Sequence, residues 1–497
     1  MYYIRYISTT LDYYFFILEM SSFFMDVLNV FLQSITNAIS KVVFFNVLSG
    51  FGIDALQLPL ALAILLFGYI YATIAMRGFQ FTRLKYCFKY VFGRNKAKSS
   101  DGEKDISSIK TLFTSIAGCT GMNATAGIVF MIAIGGVGTV FWLPFLTFLC
   151  MAFRFEEVYL SHHYRDKKQN ENLGGPFDYI KKGVAEINLP KLGKVCAFLY
   201  AFFMIISGMI GVSMYETNQC VSIITSSFGF LNGKRILMSL IVIGLIFVII
   251  VGGTKRIMNF MGSVLPVLAI IYIIASMIVI IAHYQNLGNA LLIIFEDAMH
   301  PRAMAGGFVA SLCMTARKMA LSHETGLGTS GIVHASSTQP DSVREATGAM
   351  MTPIINAFCV CMMTVLVIIT TGAYQSKTAG NDGVVVLFNA FGSVSKILPY
   401  IITILIPMLV FNVLLGWCNY IIKCSMYCFN NKIAVKIAVG LFLICAFIGG
   451  ITDNFVMIMN LVDALMMLII MLNVPVIILL TKKVYNVVKN YDFKGSK

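Results

Sequence analysis

Long apolar runs alternate along the chain with short clusters of charged residues. Eleven runs are long enough for a helix to cross the hydrocarbon core of a bilayer, which takes about 20 mostly apolar residues. The pattern therefore predicts eleven transmembrane helices and an all-α integral membrane protein. The approximate bounds are 52–76, 107–138, 140–160, 194–225, 233–252, 257–283, 303–336, 343–373, 394–424, 433–452 and 458–482.

The second and seventh runs are interrupted by glycine and polar residues, in GCTGMNATAG (Gly118 to Gly127) and in the stretch from Ala305 to Gly328. Irregular backbone at membrane depth is tolerated only where protein or a polar cavity surrounds it. A matched pair of interrupted helices indicates a transporter's binding site. If the first run is an extra helix, the others form two sets of five in opposite orientation, which predicts an inverted repeat.

The predicted helices and repeat divide the chain into five parts. They are an extracytoplasmic N-terminal segment with an amphipathic interfacial helix (1–50), an extra span with a basic cytoplasmic loop (51–106), a first inverted repeat (107–285), a second inverted repeat (286–485) and a cytoplasmic tail (486–497).

Composition supports a membrane protein, with 58% apolar residues, 12% charged residues and a mean hydropathy of +0.82. Soluble domains have about 25% charged residues. The net charge of +14 comes from Lys and Arg gathered in alternate loops, a pattern typical of cytoplasmic loops rather than of nucleic-acid binding. We expect the N-terminus outside and the C-terminus in the cytoplasm, with the bilayer and a small substrate as partners, no nucleic acid and no obligate protein partner.

No nucleotide-binding loop is recognisable, which favours gradient-driven transport over an ATP-driven pump or an enzyme. Carboxylates inside a membrane are costly unless they are paired or line a cavity, so Glu216, Glu324 and Asp463 are candidate functional residues. Structural alternatives stay open. Glu324 could pair with Arg317 or Lys318, and Asp463 could serve helix packing. Glu157 could pair with Arg154, and His162 and His163 are expected in a loop.

The broken second run offers freed backbone groups, in which half-helix N-termini favour a carboxylate and freed carbonyls suit a cation. Gly121, Met122 and Asn123 are therefore candidates for substrate binding, and Ala124 and Gly127 for cation binding. We expect no cofactor and no metal beyond a co-transported sodium ion, for which a proton is the alternative.

Several motifs resemble the alanine/glycine:cation symporter family, also called sodium:alanine symporters. They are GGVGTVFW from Gly135 to Trp142, Gly174-Gly175-Pro176, Ile294-Phe295-Glu296 followed by Ala305-Gly306-Gly307-Phe308, SHETGLGT from Ser322 to Thr329, and Leu415-Gly416-Trp417. The resemblance runs from about Leu58 to Asn473. It implies a leucine-transporter-like fold of five plus five inverted helices, and sodium- or proton-driven uptake of small neutral amino acids.

The resemblance also assigns candidate residues where the chain departs from the family pattern. Glu216 replaces a Gln at a substrate-contact position, Leu321 replaces a Phe before Ser322, and Asn356 replaces an Asp. Asn412 and Val413 replace a Ser-Thr pair that resembles the sodium-holding hydroxyls of this fold. Trp417 and Leu321 are expected to bound the side-chain pocket. Loss of the Thr hydroxyl removes an oxygen ligand, and hard cations prefer oxygen.

The leading prediction is a bacterial cell-membrane transporter that imports a small neutral amino acid of the alanine and glycine class by sodium symport. A proton-coupled or uncoupled amino-acid permease of the same fold is the first alternative. A non-transporting amino-acid sensor is less favoured, because only a short tail follows Lys482.

Overall fold

The computed structural model describes residues 27, 29–52, 56–92, 107–166, 174–299, 308–376, 383–452 and 454–493. Within these ranges nearly all regular structure is helical, and each of the eleven predicted runs corresponds to a helix. The helices are α1 (Leu60–Ala75), α2a (Ser108–Cys119) with α2b (Ala126–Gly135), α3 (Trp142–His163), α4 (Pro190–Ser227), α5 (Arg235–Ile250), α6 (Gly253–Ala282), α7a (Phe308–His323) with α7b (Thr329–His334), α8 (Ser342–Thr370), α9 (Leu398–Phe429), α10 (Lys432–Ile451) and α11 (Phe455–Lys489).

Seven helices among the described residues are long and apolar enough to cross a membrane, and α1, α2b and α5 are shorter apolar helices. Large apolar side chains on the outer helices are exposed, as on Leu245, Ile274 and Leu441. Such a surface suits lipid, and the helices satisfy their own backbone hydrogen bonds, as a bilayer requires. The chain is a multi-pass membrane protein.

The two broken helices lie at the centre of the molecule. Helix α2a packs against α6 and α9, whereas α7a packs against α2b and α3. Every residue in 114–132 and in 321–337 is buried. Helix α1 packs outside this core, against α3 and α11, as expected of an extra span.

Two helices next to the broken pair contain a π-helical turn, at Ser207–Val212 in α4 and at Ala357–Cys361 in α8. Such turns rotate the side chains that follow them and often occur at functional sites. Glu216 lies just after the first turn and Asn356 just before the second. The turns therefore help to set the direction in which these two side chains point.

The described part of the C-terminal segment packs against two short helices that follow α1. Helix α11 continues to Lys489, beyond the predicted boundary at 485. Phe493 is 2% exposed and its ring packs against those of Phe79 and Tyr86. The guanidinium of Arg83 lies 4.5 Å from the Phe493 ring centroid. The described part of the tail is thus docked on the short helices Phe79–Thr82 and Leu84–Phe92 by aromatic and cation–π contacts.

The predicted histidine loop is wrong. His162 and His163 are the last two residues of α3, and His162 is 1% exposed. The Nδ1 atom of His162 is 2.8 Å from the hydroxyl oxygen of Ser342, at the start of α8. The predicted run ends at residue 160, but α3 continues because His162 is buried against α8, whereas His163 is exposed and its ring stacks on that of Tyr159.

Candidate functional site between two broken helices

The first break separates α2a from α2b at residues 120–125. Gly121 has φ −123° and ψ −143°, and Thr125 has φ −115° and ψ −86°, so neither continues the α-helix. Met122–Ala124 form a single 3₁₀ turn between them. The helical hydrogen-bond ladder is interrupted here, which leaves backbone donors and acceptors for side chains or ligands.

The second break separates α7a from α7b. Glu324, Gly326 and Gly328 have φ of +54°, +95° and +91°. A Cβ on Gly328 would lie 2.3 Å from the Tyr200 hydroxyl oxygen, so this position needs glycine both for its backbone and for space. The helix cannot continue through three left-handed residues, and its carbonyls are freed.

Five carbonyls of the second break accept hydrogen bonds from side chains on five different helices. The donors are Asn356 to Ser322 O, Arg154 to His323 O, Tyr69 to Thr325 O at 2.9 Å, Asn473 to Gly326 O at 2.9 Å and Tyr200 to Leu327 O at 2.6 Å. Buried carbonyls need such partners in a membrane interior. The second break is therefore held open by the surrounding protein.

Glu216 lies against the first break. Its side chain is 1% exposed, and its Oε2 accepts a hydrogen bond of 3.2 Å from the Met122 N–H. A Cβ built on Gly121 would lie 2.8 Å from Glu216 Oε2 and 2.6 Å from Val413 Cγ2. Four predicted site residues, Gly121, Met122, Glu216 and Val413, are thus in one cluster, which we call the first-break cluster.

A second group of predicted residues surrounds the break of α7. The indole Nε1 of Trp417 donates to Glu324 Oε1 at 2.9 Å, and Trp417 is fully buried. The suggested ion pair of Glu324 with Arg317 or Lys318 is wrong for the described residues, because Glu324 bonds Trp417 and Arg317 pairs with Asp463. Leu321 and Ser322 are buried at the end of α7a.

Asn356 connects the two breaks. Its Nδ2 donates to Ser322 O, and its Oδ1 accepts from the Thr120 hydroxyl at 3.3 Å. The side chain is fully buried on α8. An amide supplies both a donor and an acceptor, which a carboxylate in the same place would not.

Among the residues expected to hold a cation, Val413 belongs to the first-break cluster, and a Cβ on Gly127 would lie 3.5 Å from Met122 O. Asn412 Nδ2 donates to Met408 O at 3.0 Å, whereas its buried Oδ1 has no hydrogen-bond partner. Ala124 O accepts from Thr364 at 3.5 Å, and Gly127 lies in the first turn of α2b, beside Asn123. The described residues contain no group of three or more His, Cys, Asp or Glu that could hold a metal ion.

Asp463 belongs to a different cluster. Its carboxylate forms an ion pair with Arg317, whose guanidinium also lies 4.7 Å from the Phe44 ring centroid. The neighbouring Lys318 is 1% exposed, and its Nζ is 5.0 Å from the Phe130 ring centroid. This charged layer joins α7a to α11, about two turns before the break in α7.

Sequence reasoning missed the residues that support the second break. Arg154 pairs with Glu157 at 3.0 Å, as suggested, but it also donates to Thr325 Oγ1 at 2.9 Å and to His323 O. Tyr179 donates to Asn473, which in turn caps Gly326. An Arg in an apolar run was the available signal, whereas a Tyr or Asn in such a run gives no indication of its hydrogen-bond partner.

Two facing broken helices inside a bundle of unbroken ones, with polar groups buried between them, define a membrane transporter of the leucine-transporter-like fold. The structure is similar to that of MhsT crystallised with L-phenylalanine. The TM-score is 0.57 with 11% sequence identity, over 78% of this chain and 98% of that one. At this identity the likeness concerns the fold alone.

The chain belongs to the sodium:alanine symporter family, whose model matches residues 43–497. An uncharacterized transporter of Haemophilus influenzae is 29% identical over 76% of this chain and 81% of its own length. The sodium/alanine symporter AgcS of Methanococcus maripaludis is 27% identical over 82% of this chain and 88% of its own. A probable sodium/glutamine symporter of Bacillus subtilis, GlnT, is 27% identical over 89% and 90%. The resemblance inferred from the motifs is thereby confirmed.

Proposed function

We propose that the protein imports a small amino acid of the alanine and glycine class, driven by a sodium gradient, through alternating access. The observation that carries this proposal is the meeting of two buried helix breaks, which Asn356 bridges by hydrogen bonds to Ser322 O and to the Thr120 hydroxyl. Membership of the sodium:alanine symporter family supports both the sodium coupling and the amino-acid substrate of this proposal. Discontinuous helices of this kind hold substrate and ion near the midplane in transporters.

In this proposal the substrate lies between α2, α4, α7 and α9. Asn123 and neighbouring backbone at Gly121 and Met122 bind one end of it, and Glu216 binds its amine. Leu321, Ser322 and Trp417 bound the side-chain pocket. The sodium ion is bound by carbonyl oxygens near Ala124 and Gly127 and by the side-chain oxygen of Asn412, with Val413 contributing no side-chain ligand. The protein would lie in a bacterial cell membrane with its N-terminus outside.

Coupling to a proton is the second candidate, and one specific observation favours it. Glu216 is a buried carboxylate in contact with the break, next to the methyl groups of Val413. A buried carboxylate that exchanges a proton can replace a bound sodium as the carrier of charge. Uptake by an uncoupled permease would depend on neither a sodium gradient nor a pH gradient.

Uptake into proteoliposomes distinguishes these candidates. Labelled alanine and glycine would be offered with a sodium gradient alone, a pH gradient alone, or neither. We expect accumulation only with the sodium gradient, and unchanged sodium dependence in the Glu216→Gln variant. Accumulation driven by the pH gradient and lost in Glu216→Gln would establish proton coupling instead. No uptake of either substrate under any gradient would reject transport of this class.

A further inference from the structure

The carboxylate of Glu216 accepts a hydrogen bond from a backbone N–H group in the first break. Glu216 Oε2 accepts from Met122 N–H at 3.2 Å, just before α2b begins. Freed N–H groups at the start of a half-helix are where transporters of this architecture bind an anionic group of the substrate. A ligand carboxylate entering this break would have to compete with Glu216 for that donor.

No cationic side chain among the described residues forms an ion pair with Glu216. Arg154 pairs with Glu157 and Arg317 with Asp463, and the Nζ of the buried Lys318 lies 5.0 Å from the Phe130 ring centroid. The second carboxylate at the breaks, Glu324, accepts a hydrogen bond from the neutral indole of Trp417. A buried carboxylate without a positive partner is costly, and either a proton or a bound cation relieves that cost.

The surroundings of Glu216 suit an organic cation better than an inorganic one. The side chain beside it across Gly121 is Val413, whose Cγ2 lies 2.6 Å from the position of a Cβ on that glycine. Sodium needs several oxygen ligands, and a methyl group supplies none. An ammonium group donates three hydrogen bonds, and the carbon atoms attached to it can pack against a methyl group.

We propose that the transport site prefers a small primary amine of net positive charge, whose carboxyl group is absent or neutralised, with its ammonium bound to Glu216. The inference rests on the proposed function, because it takes the two breaks to be the transport site. It changes only the charge of the preferred substrate, which stays the size of alanine. Alanine itself binds, but its carboxylate is repelled by Glu216 and has to compete with it for the Met122 N–H.

Binding of two ligands of nearly equal shape tests this inference. L-alaninamide and L-alanine would be titrated into the purified full-length protein in sodium-containing buffer at about pH 6, where an α-amino group is protonated. We expect the unaltered protein to bind L-alaninamide at least about tenfold more tightly than L-alanine. In Glu216→Gln this preference should disappear, whereas the matched control Glu296→Gln, which removes an exposed carboxylate, should retain it.

The outcomes separate this inference from the function on which it rests. Tighter binding of L-alanine by the unaltered protein would overturn the inference and leave the proposed function standing. Failure of both ligands to bind a folded, monodisperse protein would reject both. The comparison on the unaltered protein decides the matter even if Glu216→Gln does not fold.

Discussion

Replacement of Arg154 by methionine is expected to lower the free energy of unfolding by about 3–5 kcal/mol, the usual cost of removing one partner of a buried ion pair. Arg154 and Glu157 are both fully buried, and their side chains are 3.0 Å apart. The change leaves the Glu157 carboxylate uncompensated. It also frees His323 O and the Thr325 hydroxyl, both of which accept from Arg154.

The measurement is equilibrium unfolding in mixed detergent micelles. Arg256→Met removes an exposed arginine at the start of α6 and should change stability by less than about 0.5 kcal/mol. The double variant Arg154→Met with Glu157→Met removes the stranded charge and should recover part of the loss, since only the uncapped groups of α7 remain. Equal stability of Arg154→Met and Arg256→Met would show that the pair does not support the second break.

Replacement of Gly121 by alanine is expected to reduce transport by at least about tenfold, which corresponds to about 1.4 kcal/mol in binding or in the barrier. The new methyl group would lie 2.6 Å from Val413 Cγ2 and less than 3 Å from both carboxylate oxygens of Glu216. Backbone strain is not the reason, because φ at Gly121 is −123°. The added methyl group would either move the first break away from Val413 on α9 or displace Glu216 from the Met122 N–H.

Gly127→Ala is the matched control, in the same broken helix. A Cβ there would be 3.5 Å from Asn123 Oδ1 and from Met122 O, which is ordinary van der Waals contact. Alanine keeps the backbone carbonyl and favours the helix, so initial uptake rates should stay near those of the unaltered protein. Adding Val413→Ala to Gly121→Ala should restore part of the activity. Uptake by Gly121→Ala that matches Gly127→Ala would remove the steric role assigned to the first break.

The charged residues show where sequence reasoning reached its limit. The chain itself shows that Glu216, Glu324 and Asp463 lie in apolar runs, and the cost of burying a carboxylate makes each a candidate. Which of them meets an arginine depends on helix packing. Asp463 pairs with Arg317, whereas Glu324 contacts Trp417, although Glu324 is much nearer to Arg317 in the sequence.

Sequence alone determined the eleven helices, the two breaks and the family. This is possible because a bilayer offers no water to the backbone, so each crossing segment must be a long apolar helix and each exception is visible as glycine or polar residues. Only the tertiary structure decided which side chains fill the breaks. Tyr69 caps Thr325 from 256 residues away, and Glu216 reaches Met122 from 94. Such contacts depend on how helices pack, and neither apolar periodicity nor composition records that packing.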